Sequence, residues 1–169
     1  MPPPLHFDPS TLDFNKLVVD RDEIQRINPQ RFEMAHLDGI VYIDREQNLV
    51  VGYKDVRPDE FWVRGHMPGY PLLPGVLMCE AAAQLCSYYT VTIGLLKDDF
   101  IGFGGLEHVR FRGVVRPGDR LVLVGTGLQL HPRKTVFNVQ GLVKGTMVFH
   151  GDVVGVPMSR SAADKAEGS

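Results

Sequence analysis

Cysteine is scarce: Cys79 and Cys86 are the only two in 169 residues. If both lie on one helix, they sit about 10.5 Å apart along its axis. That is too far for an intrachain disulfide, so two buried free thiols are expected. Neither sign of charge dominates, the formal net charge being -2. No nucleic-acid or membrane-surface partner is therefore expected. Long hydrophobic runs are also missing. The longest apolar stretch, within residues 76–96, is broken by Glu80, Gln84, Ser87 and Thr92. Such a stretch is wrong for a membrane span. Met1-Pro2-Pro3-Pro4 lacks the basic and apolar runs of a secretory leader, so a cytoplasmic location is expected. Apart from His66, the histidines (His6, His36, His108, His131 and His150) are scattered without metal-ligand spacing. No metal is expected from them.

What is present suits one soluble domain with tails, at 44% hydrophobic and 22% charged residues. A chain this short gains stability from oligomerisation. Residues 1–20 read as an extension whose Phe14, Leu17 and Val18 need somewhere to pack. Residues 159–169 are small and polar and read as a disordered tail. Between these ends strands dominate. Residues 39–44, 49–56, 109–115, 120–130, 135–144 and 147–156 are β-rich runs with short connections, which imply antiparallel neighbours. The connections are read as residues 45–48, 131–134 and 145–146. One helix is expected from about Pro74-Gly75 to Gly94. It is apolar nearly all round, so it should be buried on most sides. A curved antiparallel sheet wrapped around a long central helix meets that demand, an α+β fold.

The chemistry concentrates in Gly65-His66-Met67-Pro68-Gly69-Tyr70-Pro71-Leu72-Leu73-Pro74-Gly75. Three prolines and three glycines make this loop stiff at some positions and open to close approach at others. An imidazole at His66 can act as a base near neutral pH, or simply hydrogen-bond within the loop. Glu80 lies among Met78, Cys79, Ala81, Ala82 and Ala83. A carboxylate there is costly to bury unless paired or protonated, and a protonated one suits a general acid. The alternative is an exposed glutamate favoured by the helix N-terminus. Gly75, at the helix entrance, offers a free N–H to developing negative charge, or serves turn geometry alone. Gln84 follows Glu80 by four residues and shares its face of the helix.

The block from Gly65 through Pro74-Gly75-Val76-Leu77-Met78-Cys79-Glu80-Ala81-Ala82-Ala83-Gln84 resembles the signature of 3-hydroxyacyl-[acyl-carrier-protein] dehydratases of the FabZ type. That signature reads G-H-F-P-x-x-P-x-x-P-G-V-L-x-x-E-A-x-A-Q. The separation of His66 and Glu80, fourteen residues, matches it. Val109-Arg110-Phe111-Arg112-Gly113-Val114-Val115-Arg116-Pro117-Gly118-Asp119 and Ile27-Asn28-Pro29-Gln30-Arg31-Phe32 resemble further family segments. The likeness covers about residues 24 to 157. Met67 replaces a usual phenylalanine, Gln30 stands where the family often has histidine, and Gly102-Phe103-Gly104-Gly105 is richer in glycine than the family.

The resemblance implies a hotdog fold over residues 21–158. It implies dehydration of (3R)-hydroxyacyl thioesters on acyl carrier protein to trans-2-enoyl thioesters, in fatty-acid or related lipid synthesis. His66 and Glu80 would be catalytic, Gly75 and Gln84 would support them, and Val76 and Phe103 would contact the acyl chain. Arg110 and Arg112, with Arg64, Arg116 and Arg120, would form a docking patch for an acidic carrier protein. A homodimer is implied, with His66 of one chain meeting Glu80 of the other, and family members often assemble as trimers of dimers. No cofactor is needed. A hotdog thioesterase and a non-catalytic acyl-binding subunit are the competing readings.

Overall fold

The computed structural model describes residues 1–96 and 100–160. Of the tail expected to be disordered, residues 161–169 lie outside the described residues. Asp20 caps the first helix by accepting the Glu23 N–H. The elements run β1 (Val19–Asp20), α1 (Arg21–Ile27), β2 (Gly39–Asp44), β3 (Leu49–Asp55), α2 (Gly75–Thr92), β4 (Phe100–Phe111), β5 (Arg120–His131), β6 (Lys134–Val143) and β7 (Thr146–Met158). One seven-stranded sheet results, in the order β1-β2-β3-β5-β6-β7-β4. Every pairing is antiparallel.

Turn chemistry sets the register. Asp44 Oδ1 accepts the N–H groups of Glu46 and Gln47, which folds the β2–β3 connection. Lys144 and Gly145 both take positive φ and join β6 to β7. That is the type I′ pattern of a two-residue hairpin. The turn therefore sits one residue earlier than Gly145-Thr146. The fourth strand also departs from expectation. It spans Phe100–Phe111 rather than 109–115, because β7 supplies a partner along the glycine-rich stretch at residues 102–105. Bulges between Phe103 and Gly105, and between Glu107 and Arg110, bend this strand.

The sheet curves over α2, which packs against strands on both sides of its centre. Ala81, Ala82, Leu85 and Tyr89 on the helix are fully buried, together with Leu121, Leu123, Phe137 and Val139 of the sheet. Small residues let the helix approach closely. At Gly52, for example, a Cβ would lie 2.9 Å from a Leu85 methyl. Cys79 and Cys86 are free and buried in this core. The opposite face of the sheet carries a second apolar cluster around Val41, Val51, Tyr53, Val124 and Leu142. The N-terminal extension covers it. Phe7 stacks on Tyr42 and Phe14 packs edge-on to Tyr53. The Arg120 guanidinium sits over both Phe14 and Tyr53 and pairs with Asp55. No helix among the described residues is long and apolar enough to cross a membrane.

Candidate active site

Helix α2 starts at Gly75, with Pro74 as its cap. Proline suits that place because it has no N–H to leave unpaired. The Leu77 and Met78 N–H groups donate to Pro74 O, whereas those of Gly75 and Val76 find no acceptor among the described residues. The helix therefore presents two free donors and the positive end of its dipole outward. Gly75 is also a packing requirement, since a Cβ there would lie 2.8 Å from the Phe111 ring. Val76, beside it, is 72% exposed.

The preceding loop holds His66. Leu73 N–H donates to Val115 O, which anchors the loop to the segment after β4, and Leu72 N–H donates to His66 O within the loop. His66 Nδ1 lies 2.7 Å from Leu72 O. A carbonyl can only accept, so Nδ1 carries the proton and the lone pair of the neutral ring is on Nε2. The ring is exposed.

Glu80 is half-buried, one and a half turns into α2. Gln84, which is 2% exposed, fixes it. Gln84 Nε2 donates to Glu80 Oε1 at 2.8 Å and to Met34 O at 2.6 Å. Gln84 Oε1 accepts the His36 N–H, and Gln84 O accepts from Asn28 Nδ2. With Oε1 of Glu80 occupied, Oε2 is left without a hydrogen-bond partner among the described residues. Glu80 lines a cavity of about 70 Å³ together with Gln30, Ala83, Cys86, Gly102 and Phe103. Burial pushes the thiol of Cys86 up, so it is not poised as a nucleophile.

Glu80 and Phe103 are thus brought to one cleft, with Gln84 bonded to Glu80, and Gly75 and Val76 to the helix start. His66 does not line the Glu80 cavity within a single chain. Arg110 and Arg112 are exposed, Arg110 within β4 and Arg112 just beyond its end at Phe111. Arg112 Nη2 meets His150 Nε2 at 3.1 Å, and burial together with Arg112 and Arg110 lowers the His150 pKa. Arg120 leaves the expected basic patch, because it is engaged under the N-terminal extension. Asn28, Met34 and His36, which build the frame around Gln84, carried no chemical signal in the sequence. Only the Asn28-Pro29-Gln30 likeness marked that stretch. Glu107, His108 and Asp152 bring their ligand-type atoms within 4.8 Å of one another, a grouping hidden in sequence because Asp152 comes from a different strand. None of the three lines the Glu80 cavity.

A family model described as a FabA-like domain matches residues 28–152. The chain is 34% identical over 151 residues to the 3-hydroxyacyl-[acyl-carrier-protein] dehydratase FabZ of Hydrogenobaculum sp., covering 88% of this chain and 97% of that one. It is 35% identical over 128 residues to the FabZ of Latilactobacillus sakei, covering 76% and 91%. Among solved structures, one similar fold is the dehydratase heterocomplex ApeI:P from Xenorhabdus doucetiae. Its TM-score is 0.72 at 16% identity, over 86% of this chain and 97% of that one. A hypothetical thioesterase with coenzyme A from Streptococcus pneumoniae reaches 0.59 at 14% identity, over 82% and 96%. At these identities the structural likeness shows the hotdog fold alone.

Proposed function

The chain belongs to the FabA-like family, and from that premise we propose that it is a 3-hydroxyacyl-[acyl-carrier-protein] dehydratase of fatty-acid or related lipid synthesis. Its substrate is a (3R)-hydroxyacyl thioester and its product the trans-2-enoyl thioester. The observation that carries this reading is the complementary preparation of its two proton-transfer groups. Leu72 O leaves His66 with a basic Nε2, and Gln84 leaves Glu80 with a free Oε2. His66 takes the proton from C2. The Gly75 and Val76 N–H groups stabilise the charge that develops on the thioester oxygen. Glu80, protonated on Oε2, gives its proton to the C3 hydroxyl, which leaves as water.

The two groups come together across two copies of the chain. Supporting this, β4 is an edge strand of the sheet, and among the described residues its strand partner is β7 alone. An unpaired edge is a template for a second strand. Exposed Phe61, Met67, Val76, Phe111 and Val114 belong to the His66 loop, the helix start and the end of β4 and its outlet. A second copy pairing along β4 covers them and carries its His66 toward the first copy's Glu80. Arg110 and Arg112, exposed at the end of β4, suit an acidic carrier protein in the cytoplasm.

The test offers the purified protein crotonyl and 3-hydroxyacyl thioesters. Enoyl absorbance should rise or fall without release of free thiol. His66→Ala and Glu80→Gln should each lower kcat by about 10²–10⁴-fold. Stoichiometric thiol release would move the chain to the thioesterase reading. Unchanged rates in both variants would make it a binding subunit.

A further inference from the structure

Gln30 follows α1 on a segment tied to the helix that bears Glu80. Asn28, 3% exposed, donates from Nδ2 to Gln84 O at 2.8 Å. Arg31 Nη1 donates to the backbone oxygens of Asn28 and Gln30. The main chain of this segment is therefore fixed, but the Gln30 side chain is not used to fix it. Its Oε1 is buried, and among the described residues neither Oε1 nor Nε2 has a hydrogen-bond partner.

A buried carbonyl without a partner costs stability, and folded proteins rarely keep one without a reason. The other described buried side-chain atoms in this condition are on Asn28, His36 and Thr126. None of those residues lines the Glu80 cavity, whereas Gln30 does. The cavity, at about 70 Å³, is several times the ~10–15 Å³ of free space that one water needs. A hydroxyl and the water it becomes both fit.

We infer that Gln30 is a further substrate-contacting residue of the dehydration, its side-chain carbonyl accepting the hydrogen of the C3 hydroxyl and then of the departing water. This rests on the dehydratase reading of the site. The hydroxyl hydrogen, held by Gln30 Oε1, turns an oxygen lone pair toward Glu80. The C2–H bond breaks to His66, the C3–O bond breaks with its electron pair going to oxygen, and that oxygen takes the Glu80 proton. The C2–H electron pair becomes the new C2–C3 double bond. The departing water keeps one hydrogen on Gln30 Oε1 and turns the other to the Glu80 carboxylate. As the hydroxyl oxygen gains its second proton, its original hydrogen becomes more acidic and the bond to Gln30 strengthens. The interaction is therefore worth more in the transition state than in the bound substrate, which places its effect on kcat rather than KM.

Steady-state kinetics on a 3-hydroxyacyl thioester, with thermal melts of the same samples, test this in wild type, Gln30→Leu and Gln30→His. Leucine removes the acceptor along with the unpartnered buried oxygen. Its melting temperature should be equal to or higher than wild type, while kcat falls about 10- to 100-fold and KM stays within about threefold. Histidine restores an acceptor and should keep kcat within about fivefold of wild type. Wild-type kcat in Gln30→Leu overturns the proposal. So does a joint loss of kcat and melting temperature that histidine does not repair, which marks a packing role. A wild-type protein that performs no dehydration overturns the reading of the site and Gln30 with it. An active wild type with an indifferent Gln30→Leu removes Gln30 alone.

Discussion

Gln84 shows how one buried side chain is used up by its surroundings: both ends of its amide are satisfied, and one bond is spent on orienting Glu80. His36 is the opposite case. It is 1% exposed and neither ring nitrogen has a partner among the described residues. Burial, then the nearby Lys54 charge, lowers its pKa from 6.5 to about 4, against the opposing pull of Glu60 and Asp38. Lys54 itself is buried and paired with Glu60 at 2.9 Å, so its charge is fixed there. The folded state thus prefers neutral His36, while the unfolded chain takes up its proton at a higher pH. The contribution is fully present above pH 6.5 and is lost as pH falls toward 4. It amounts to about 2–3 kcal/mol. His36→Phe keeps the ring shape without the proton. Urea unfolding at pH 7, 5 and 4 should show a stability difference between variant and wild type that shifts by this amount in favour of the variant on acidification. Parallel curves for the two proteins would show that His36 does not report on acid.

At the scale of elements, α2 and β4 meet where Gly75 faces the Phe111 ring. A methyl group at Gly75 must push the ring or the helix entrance, and overpacking of this kind costs about 1–3 kcal/mol. Gly75→Ala should destabilise by that amount and lower kcat/KM, because it shifts the free N–H groups at the helix start. Adding Phe111→Leu should recover at least half of the lost stability, a coupling that a double-mutant cycle by chemical denaturation measures. Strictly additive losses would mean that the contact is not the cause. Much of α2 was legible beforehand. Its all-round apolar character foretold burial, and the four-residue step from Glu80 to Gln84 foretold their contact. The strand β4 was legible only at its far end. Glycine at 102, 104 and 105 gives no strand signal, and the pairing comes from β7 more than forty residues later in the chain.

At the scale of the whole molecule, we propose that His66 and Glu80 meet across two copies of the chain. Two inactive variants then repair each other. In a mixed dimer of His66→Ala and Glu80→Gln, one site carries both lesions and the other carries none. Co-refolding the pair in equal amounts should restore about a quarter of wild-type activity, while either variant alone stays inactive. No recovery in mixed dimers would place both groups in one chain. The N-terminal extension belongs to this scale too. In sequence Phe14 was an apolar residue in want of a partner. In the fold it closes the outer cluster with Tyr53 and Arg120.

The sequence by itself determined the architecture, through a helix too apolar to stand outside a sheet, and it marked the chemistry through the likeness of residues 65–84 to a known signature. These are properties of residue type and local spacing, which the chain carries before it folds. Only the tertiary structure decided which nitrogen of His66 is basic, which oxygen of Glu80 is free, and that Gln30 reaches the cavity with nothing to bond. Each of those depends on a group brought near by packing, such as Leu72 O, Met34 O and the His36 N–H. Hydrogen bonding is directional and short-ranged, so it is settled by where the backbone ends up rather than by how the residues are ordered.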